Sequence, residues 1–479
     1  MKRIRILFFV ALAVVAACSS PRNAGNPEAG RSGYMTQELQ VIGGWGSSLC
    51  WWAAQVGKWD EAAVNCLLTA ITSPDALNMH IFRYNIGGGD NPLHIDGHML
   101  DGKGKRAEMD GFKASENASY NWTADAGQRR IMLKIKELRP DAVFEAFSNS
   151  PPYWMTWSGC AAGNADPAKD NLKPEYYDAF CDYLVDVCKY YKDTFGIEFK
   201  TLEPFNEATS SYWYANGSQE GCHFEPQTQM EIIRRLHPKL RAAGLKTVIA
   251  ASDETNLASF LNVCNAYIEA GDIMDKIGQL NVHTYSGTDD ERSVVRNLVQ
   301  KLGKPFWQSE TGPQGRANSP FHSNLLLAAK QFADLRIMQA PVWLDWQLVE
   351  ENNDTWCLFR GKFATGDYHI NKNFYVRMQI TRFFKAGYAL LETGNPNLLA
   401  ARSPDKKSLV IAALNTGGDA TIFDIDMRSY KSFTANKAFR TSQTENCQEI
   451  TPPTIAGASM SVESPALSLT TIIMNIKQR

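Results

Sequence analysis

The stretch Leu202–Trp213 reads "LEPFNEATSSYW": an apolar, extended-looking start, then Asn206 and Glu207, then a loop of hydroxyl and aromatic residues. An Asn-Glu pair closing a buried strand is costly unless the strand ends at a site, because buried polar groups need partners. The flanking sequence supplies such a setting. From residue 40 to residue 350 one unit recurs: a short apolar segment, a loop rich in Gly, Asn, Ser and aromatics, then a stretch with helical periodicity.

The apolar segments number eight: "VIGGWGSSLCWW" from Val41, "LNMHIFRYNIGGG" from Leu77, "AVFEAFSNSPPYW" from Ala142, "FKTLEPFNE" from Phe199, "KTVIAASDET" from Lys246, "IGQLNVHTY" from Ile277, "PFWQSETG" from Pro305 and "APVWLDWQLVE" from Ala340. Between them, Tyr177, Phe180, Cys181, Leu184, Val187, Cys188 and Tyr191 follow one helix face, as do Ile131, Met132, Ile135 and Leu138. Eight strand-helix alternations predict a (β/α)8 TIM barrel. The alternative is a doubly wound open sheet, but "NIGGGDNP" lacks the GxGxxG spacing of a nucleotide site. After Phe384, "SLVIAALN", "ATIFDIDM" and "LSLTTIIMNI" are short, β-rich and joined by turns such as "NTGGD", which predicts a C-terminal antiparallel β-sandwich. The helix Asn373–Lys385 leads into it. The expected division is a barrel over 37–385 and a sandwich over 386–479.

With 479 residues there is length for one large and one smaller domain. A net charge of −2 gives no basis for nucleic-acid binding. The N-terminus has Lys2, Arg3 and Arg5 before an apolar run too short to span a bilayer, ending at Cys18. The "VAAC" end resembles a lipobox, so residues 1–18 are expected to be a lipoprotein signal peptide with Cys18 lipidated. Residues 19–36 are then a flexible tether. The expected placement is an exported bacterial lipoprotein of the outer membrane, held to the membrane through its lipid alone and otherwise monomeric. Nine of the ten cysteines remain after Cys18, an odd number, and a Cys160–Cys222 bridge between two Gly-rich loops is one hypothesis.

In a (β/α)8 barrel the strands' C-terminal ends face the active site. The fourth segment ends in Asn206 and Glu207, the seventh in Glu310. Two carboxyls on opposite walls of one mouth suit glycosidic cleavage, one protonated and one ionised; a structural ion pair is the plainer alternative. His283 and Tyr285, two apart on one strand face, are placed to hydrogen-bond them. Arg83 in "FRYN", beside Asn85, would be a buried unpaired charge without a site carboxylate. Neither HExxH nor CxxC occurs, so no metal or cofactor is called for.

The motifs "GGWGSSLCWWA", "FRYNIGGGDNP", "FSNSPPYWMTWSG", "EPFNEATSSYWYANGSQEGCHF" and "WQSETG" together resemble glycoside hydrolase family 30, in particular its endo-β-1,6-galactanase branch. The resemblance implies Glu207 as general acid/base and Glu310 as nucleophile of a retaining double displacement. It also implies Asn206 on the sugar 2-hydroxyl, with Arg83, Asn85, His283 and Tyr285 in support, and no cofactor. The sandwich would take an added strand near 37–41. A polysaccharide is the implied partner, gripped by rings drawn from Trp51, Trp52, Trp154, Trp157, Trp213, Trp343 and Trp346, with Trp154 and Trp343 foremost. "RFFKAGY" departs from the family, whose members tend to carry Pro before that Gly. Other specificities of the family (β-1,6-glucanase, xylanase, glucosylceramidase-like) and a non-catalytic glycan-binding lipoprotein are the competing readings.

Overall fold

The structure is a computed structural model that describes residues 35–93, 109–313 and 317–479. The expected signal peptide, Cys18 and the tether up to residue 34 lie outside the described residues. Eight parallel strands close into a barrel, as the eight apolar segments predict. They are β1 (Gly44–Ser48), β2 (Ile81–Asn85), β3 (Val143–Phe147), β4 (Thr201–Glu203), β5 (Val248–Asn256), β6 (Ile277–Ser286), β7 (Phe306–Glu310) and β8 (Val342–Asp345). Neighbours pair in sequence order, and β1 closes on β8 through pairs such as Gly46 with Leu344.

The strand alternation sets what the barrel holds. At the strands' N-terminal ends Ile81, Val143, Trp307 and Val342 form an apolar cluster that fills the barrel floor. Two residues further along the same faces come Arg83, Glu145 and Ser309. The interior therefore turns from apolar to charged within one step of the strand period. On the outside, Phe82, Tyr84, Phe144, Ala146 and Leu202 pack against the helices in the main core.

The helices follow local rules. Tyr177–Phe195 buries the predicted stripe and ends at Gly196, whose φ of 65° favours a residue without a Cβ. Asp289–Leu302 opens with a capping box in which Thr288 Oγ1 accepts from Glu291 N (3.2 Å) and Thr288 N donates to Glu291 Oε2 (2.7 Å).

Beyond Thr381 the chain builds two antiparallel sheets of seven and three strands. Leu398, Ile411, Phe423, Met460 and Ile472 fill the space between them. The outermost strand of the larger sheet comes from the other end of the chain, Glu38–Val41 lying antiparallel to Ala389–Leu391. At this junction Gly387, with φ 86°, donates its N–H to Ile42 O (2.8 Å), and Ile42 N donates to Tyr388 O (2.9 Å). Trp45 Nε1, from β1, donates to Phe384 O at 2.7 Å. The segment before the barrel is thereby tied to the segment that follows it.

Deleting residues 1–41 removes this strand and the buried Met35 from the sandwich core. The expected cost is about 2–5 kcal/mol, the scale of losing one large core side chain, read as a lowered Tm against the chain beginning at residue 35.

Candidate active site

The site assembles where four strands end. β4 stops at Glu203, and four residues on Glu207 adopts a left-handed backbone with φ 51°. On β5, Asp253 does the same with φ 55°, and Glu207 N donates to Asp253 O at 2.9 Å. Non-glycine residues pay for this conformation and hold it where the surroundings enforce it, most often at sites. Glu310 ends β7, and His283 and Tyr285 lie near the end of β6.

These side chains meet. His283 Nδ1 lies 3.0 Å from Glu207 Oε1 and 3.6 Å from Glu310 Oε1. Its other nitrogen, Nε2, lies 3.2 Å from Asp253 Oδ1. Tyr285 donates to Glu310 Oε1 and Arg83 Nη1 donates to Glu310 Oε2, each at 2.9 Å. The Tyr212 hydroxyl donates to Glu207 Oε2. An oxygen of Glu207, an oxygen of Glu310 and a nitrogen of His283 all lie within 4.8 Å of one another. That spacing would also suit a divalent cation, and the Arg83 guanidinium places a positive charge beside Glu310.

Arg83 is completely buried. Its Nε donates to Glu145 (2.9 Å), Nη1 to Glu310 and Nη2 to Asp253, and its guanidinium stands 4.1 Å from the centre of the Phe147 ring. Glu145 is held in turn by Thr201 Oγ1 (2.6 Å), Asn281 Nδ2 (3.0 Å) and Gln279 Nε2 (3.3 Å). Burial pushes the Glu310 carboxyl up to about 7 against the pull of His283 and Arg83. Burial alone would lower the His283 ring, but the carboxylates of Glu310 and Asp253 outweigh it and hold it up at about 10.

Above this cluster opens a cavity of about 500 Å³, lined by both glutamates, Asn206, Tyr285 and the rings of Trp51, Tyr212, Trp213, Trp346 and Trp356. Asn206 Oδ1 is buried without a hydrogen-bond partner, an acceptor left for a ligand. Two glycines make room for the rings. A Cβ on Gly221 would stand 1.9 Å from the Trp213 ring, and one on Gly312 would stand 2.3 Å from Trp356.

Several predicted contacts fall elsewhere. On β8, Val342 and Leu344 point into the barrel, so Trp343 points out; it is buried among the helices and donates to Asp334 Oδ2 at 3.0 Å. Trp52 packs in the core with Nε1 on Ser48 O (2.8 Å), and its neighbour Trp51 lines the cavity instead. Trp154 braces a loop through Lys113 O (2.9 Å) and packs edge-on to Tyr176, away from the cavity lining. Asn85 turns to Glu220 Oε2 (2.9 Å), which also anchors Gly88 N through Oε1, so it supports loops and does not line the cavity. Trp157 is exposed and outside the lining. Cys160 and Cys222 are not bridged: the Cys160 sulfur accepts from Ala162 N and the Cys222 thiol donates to His223 O.

Sequence reasoning missed Glu145, Asp253, Tyr212 and Trp356. Glu145 carried a usable signal, a lone acid in the apolar run "VFEAF" that needs a buried cation. Asp253 and Trp356 carried none, since their roles depend on the left-handed turn of β5 and on a long loop after β8.

Comparison with known proteins agrees with this architecture. The model of O-glycosyl hydrolase family 30 matches residues 33–298, and the chain belongs to that family. A prokaryotic membrane lipoprotein lipid attachment site matches residues 1–19. An endo-β-1,6-galactanase of Hypocrea rufa is 30% identical, the match covering 80% of each chain. An exo-β-1,6-galactobiohydrolase of Bifidobacterium longum subsp. longum is 26% identical over 64% of this chain and only 26% of its own. The catalytic domain of the GH30 xylanase C from Talaromyces cellulolyticus shares the fold, with a TM-score of 0.69 and 17% identity over 92% of this chain and 98% of that one.

As the ionised reacting group, Glu310 would make the rate depend on pH. A carboxylate that must be ionised to react loses activity as pH falls through its pKa. With that pKa raised to about 7, kcat/KM is expected to decline below about pH 7; a profile flat down to the ordinary carboxylate range near 4.5 would contradict the raised value.

Proposed function

We propose that this protein is a retaining endo-β-1,6-galactanase, a lipid-anchored enzyme of the outer membrane that acts as a monomer on the β-1,6-galactan side chains of arabinogalactan. The proposed units are a signal peptide over 1–18, a tether over 19–36, a catalytic barrel over 37–385 and a sandwich over 386–479. The observation that carries the chemistry is the approach of the two carboxyls, with an oxygen of each inside 4.8 Å. Double displacement needs carboxyl groups about 5–5.5 Å apart, whereas inversion leaves about 6.5–9.5 Å for a water. The galactan specificity rests on the 30% identical relative that bears the endo-β-1,6-galactanase name.

In the proposed mechanism Glu310, held by Arg83 and Tyr285, attacks the anomeric carbon. Glu207 gives its proton to the departing glycosidic oxygen, and its new charge falls against the His283 ring. A water then yields its proton to Glu207 and attacks the same carbon, freeing Glu310 and leaving the configuration retained. Asn206 receives a sugar hydroxyl on its unpartnered oxygen. Trp51, Trp213, Trp346 and Trp356 offer flat apolar faces to the pyranose rings.

The exo-β-1,6-galactobiohydrolase relative favours a second reading, release from chain ends. An endo enzyme gives a ladder of β-1,6-linked oligosaccharides from the polymer, and an exo enzyme gives one short product from the start. Glu207→Gln and Glu310→Gln are each expected to cut kcat on β-1,6-galactan by at least about 100-fold. Cleavage of β-1,6-glucan or xylan in preference to galactan would overturn the specificity. Full activity of both variants would overturn the site.

A further inference from the structure

Asp253 has no place in the mechanism above, yet it links the groups that hold both glutamates. Its side chain is fully buried beneath the cavity, at the left-handed turn of β5. Oδ2 accepts from Arg83 Nη2; Oδ1 accepts from Ser309 Oγ and lies 3.2 Å from His283 Nε2. Its backbone oxygen accepts the N–H of Glu207. One residue therefore touches the cation that holds Glu310, the ring that faces Glu207, and the backbone of Glu207.

We propose that Asp253 is a positioning residue that couples the two catalytic glutamates, fixing Arg83 on Glu310 with one carboxylate oxygen and His283 toward Glu207 with the other. This rests on the roles proposed for Glu207 and Glu310.

The chemistry of the imidazole carries the argument. A neutral ring has one N–H, and its second nitrogen accepts; a ring facing carboxylates on both nitrogens needs two N–H groups and is the imidazolium. His283 sets Nε2 at ion-pair distance from Asp253 Oδ1 (3.2 Å), outside hydrogen-bond geometry, and Nδ1 against Glu207 and Glu310, so anions flank both nitrogens and favour the charged ring. Tyr285 stands edge-on at 5.9 Å between ring centres. Asp253 itself faces Arg83 from β2, and the buried carboxyls of Glu145 and Glu203 add repulsion from β3 and β4. Burial would raise the Asp253 carboxyl, but Arg83, His283 and Ser309 outweigh it, so it stays ionised below its ordinary range. A permanent anion on Nε2 keeps the ring charged while Glu207 passes through its protonated and ionised forms. The ring can then receive the charge that appears on Glu207 when it has given up its proton.

The test is a titration of His283 by NMR on the ring carbons of histidine-labelled enzyme, with His283→Gln identifying its signal. In the wild type the ring is expected to remain protonated throughout pH 6–8.5; a neutral ring at pH 7.5 overturns the proposal, whatever the behaviour of any variant. In Asp253→Asn, which keeps the size and loses the charge, the ring is expected to lose its proton within that range. The alkaline limb of kcat then moves toward neutral pH, and kcat falls about 100-fold with KM little changed. A variant that folds, shows an unshifted His283 titration and merely loses activity overturns the coupling. Full activity of Glu207→Gln and Glu310→Gln would instead overturn the assignment of the glutamates and leave the Asp253–His283 titration standing, so the two failures are distinguishable.

Discussion

A guanidinium sealed inside a protein is stable only if carboxylates surround it, and Arg83 has three, Glu145 below, Asp253 beside and Glu310 above. The rest of the site depends on that arrangement. Glu145 is held in turn by Thr201, Gln279 and Asn281, which steadies its grip on the guanidinium. Arg83 in turn fixes Glu310, and Asp253 extends the chain of charges to His283 and Glu207. Removing Arg83 would leave its carboxylates as uncompensated buried charges, an expensive defect. The cluster therefore holds the two glutamates at a short, constant separation even though they come from strands on different walls of the barrel.

The barrel is built to carry this load. Its floor is apolar, with Ile81, Val143, Trp307 and Val342 packed together, and the charges begin two residues further along the same strand faces. The apolar floor underlies the cluster on one side, and the cavity opens on the other. The left-handed turns at Glu207 and Asp253 belong to the same design: they lie at neighbouring strand ends and are joined by one backbone hydrogen bond. The aromatic walls add a hydrophobic frame, made possible by Gly221 and Gly312, where any side chain would collide with Trp213 or Trp356.

Much of the fold was legible in the sequence, since eight apolar segments separated by helical stripes specify a barrel with few alternatives. So were the glutamates, because each closes such a segment, and Arg83, because a cation amid "IFRYN" demands a partner. The aromatic contacts were legible only in part. Trp343 looked like a cavity ring because it sits at a strand end, but strand alternation turns it outward, a distinction of one residue in register. Trp51 and Trp52 stand past the end of β1, at the start of a short helix, where Trp51 reaches the cavity and Trp52 the core. Trp356 and Tyr212 come from loops, whose paths leave no periodic trace, and Asn85 was claimed by the buried carboxyl of Glu220 from a distant loop.

The central claim is that Glu310 bonds covalently to the sugar while Glu207 handles the proton. It is tested most directly by trapping the glycosyl-enzyme with a 2-deoxy-2-fluoro-β-galactoside carrying an activated leaving group, followed by mass spectrometry of the digested protein. The expected result is one added fluorosugar on the peptide containing Glu310. A label on Glu207, or product of inverted anomeric configuration from unmodified substrate, would contradict the account.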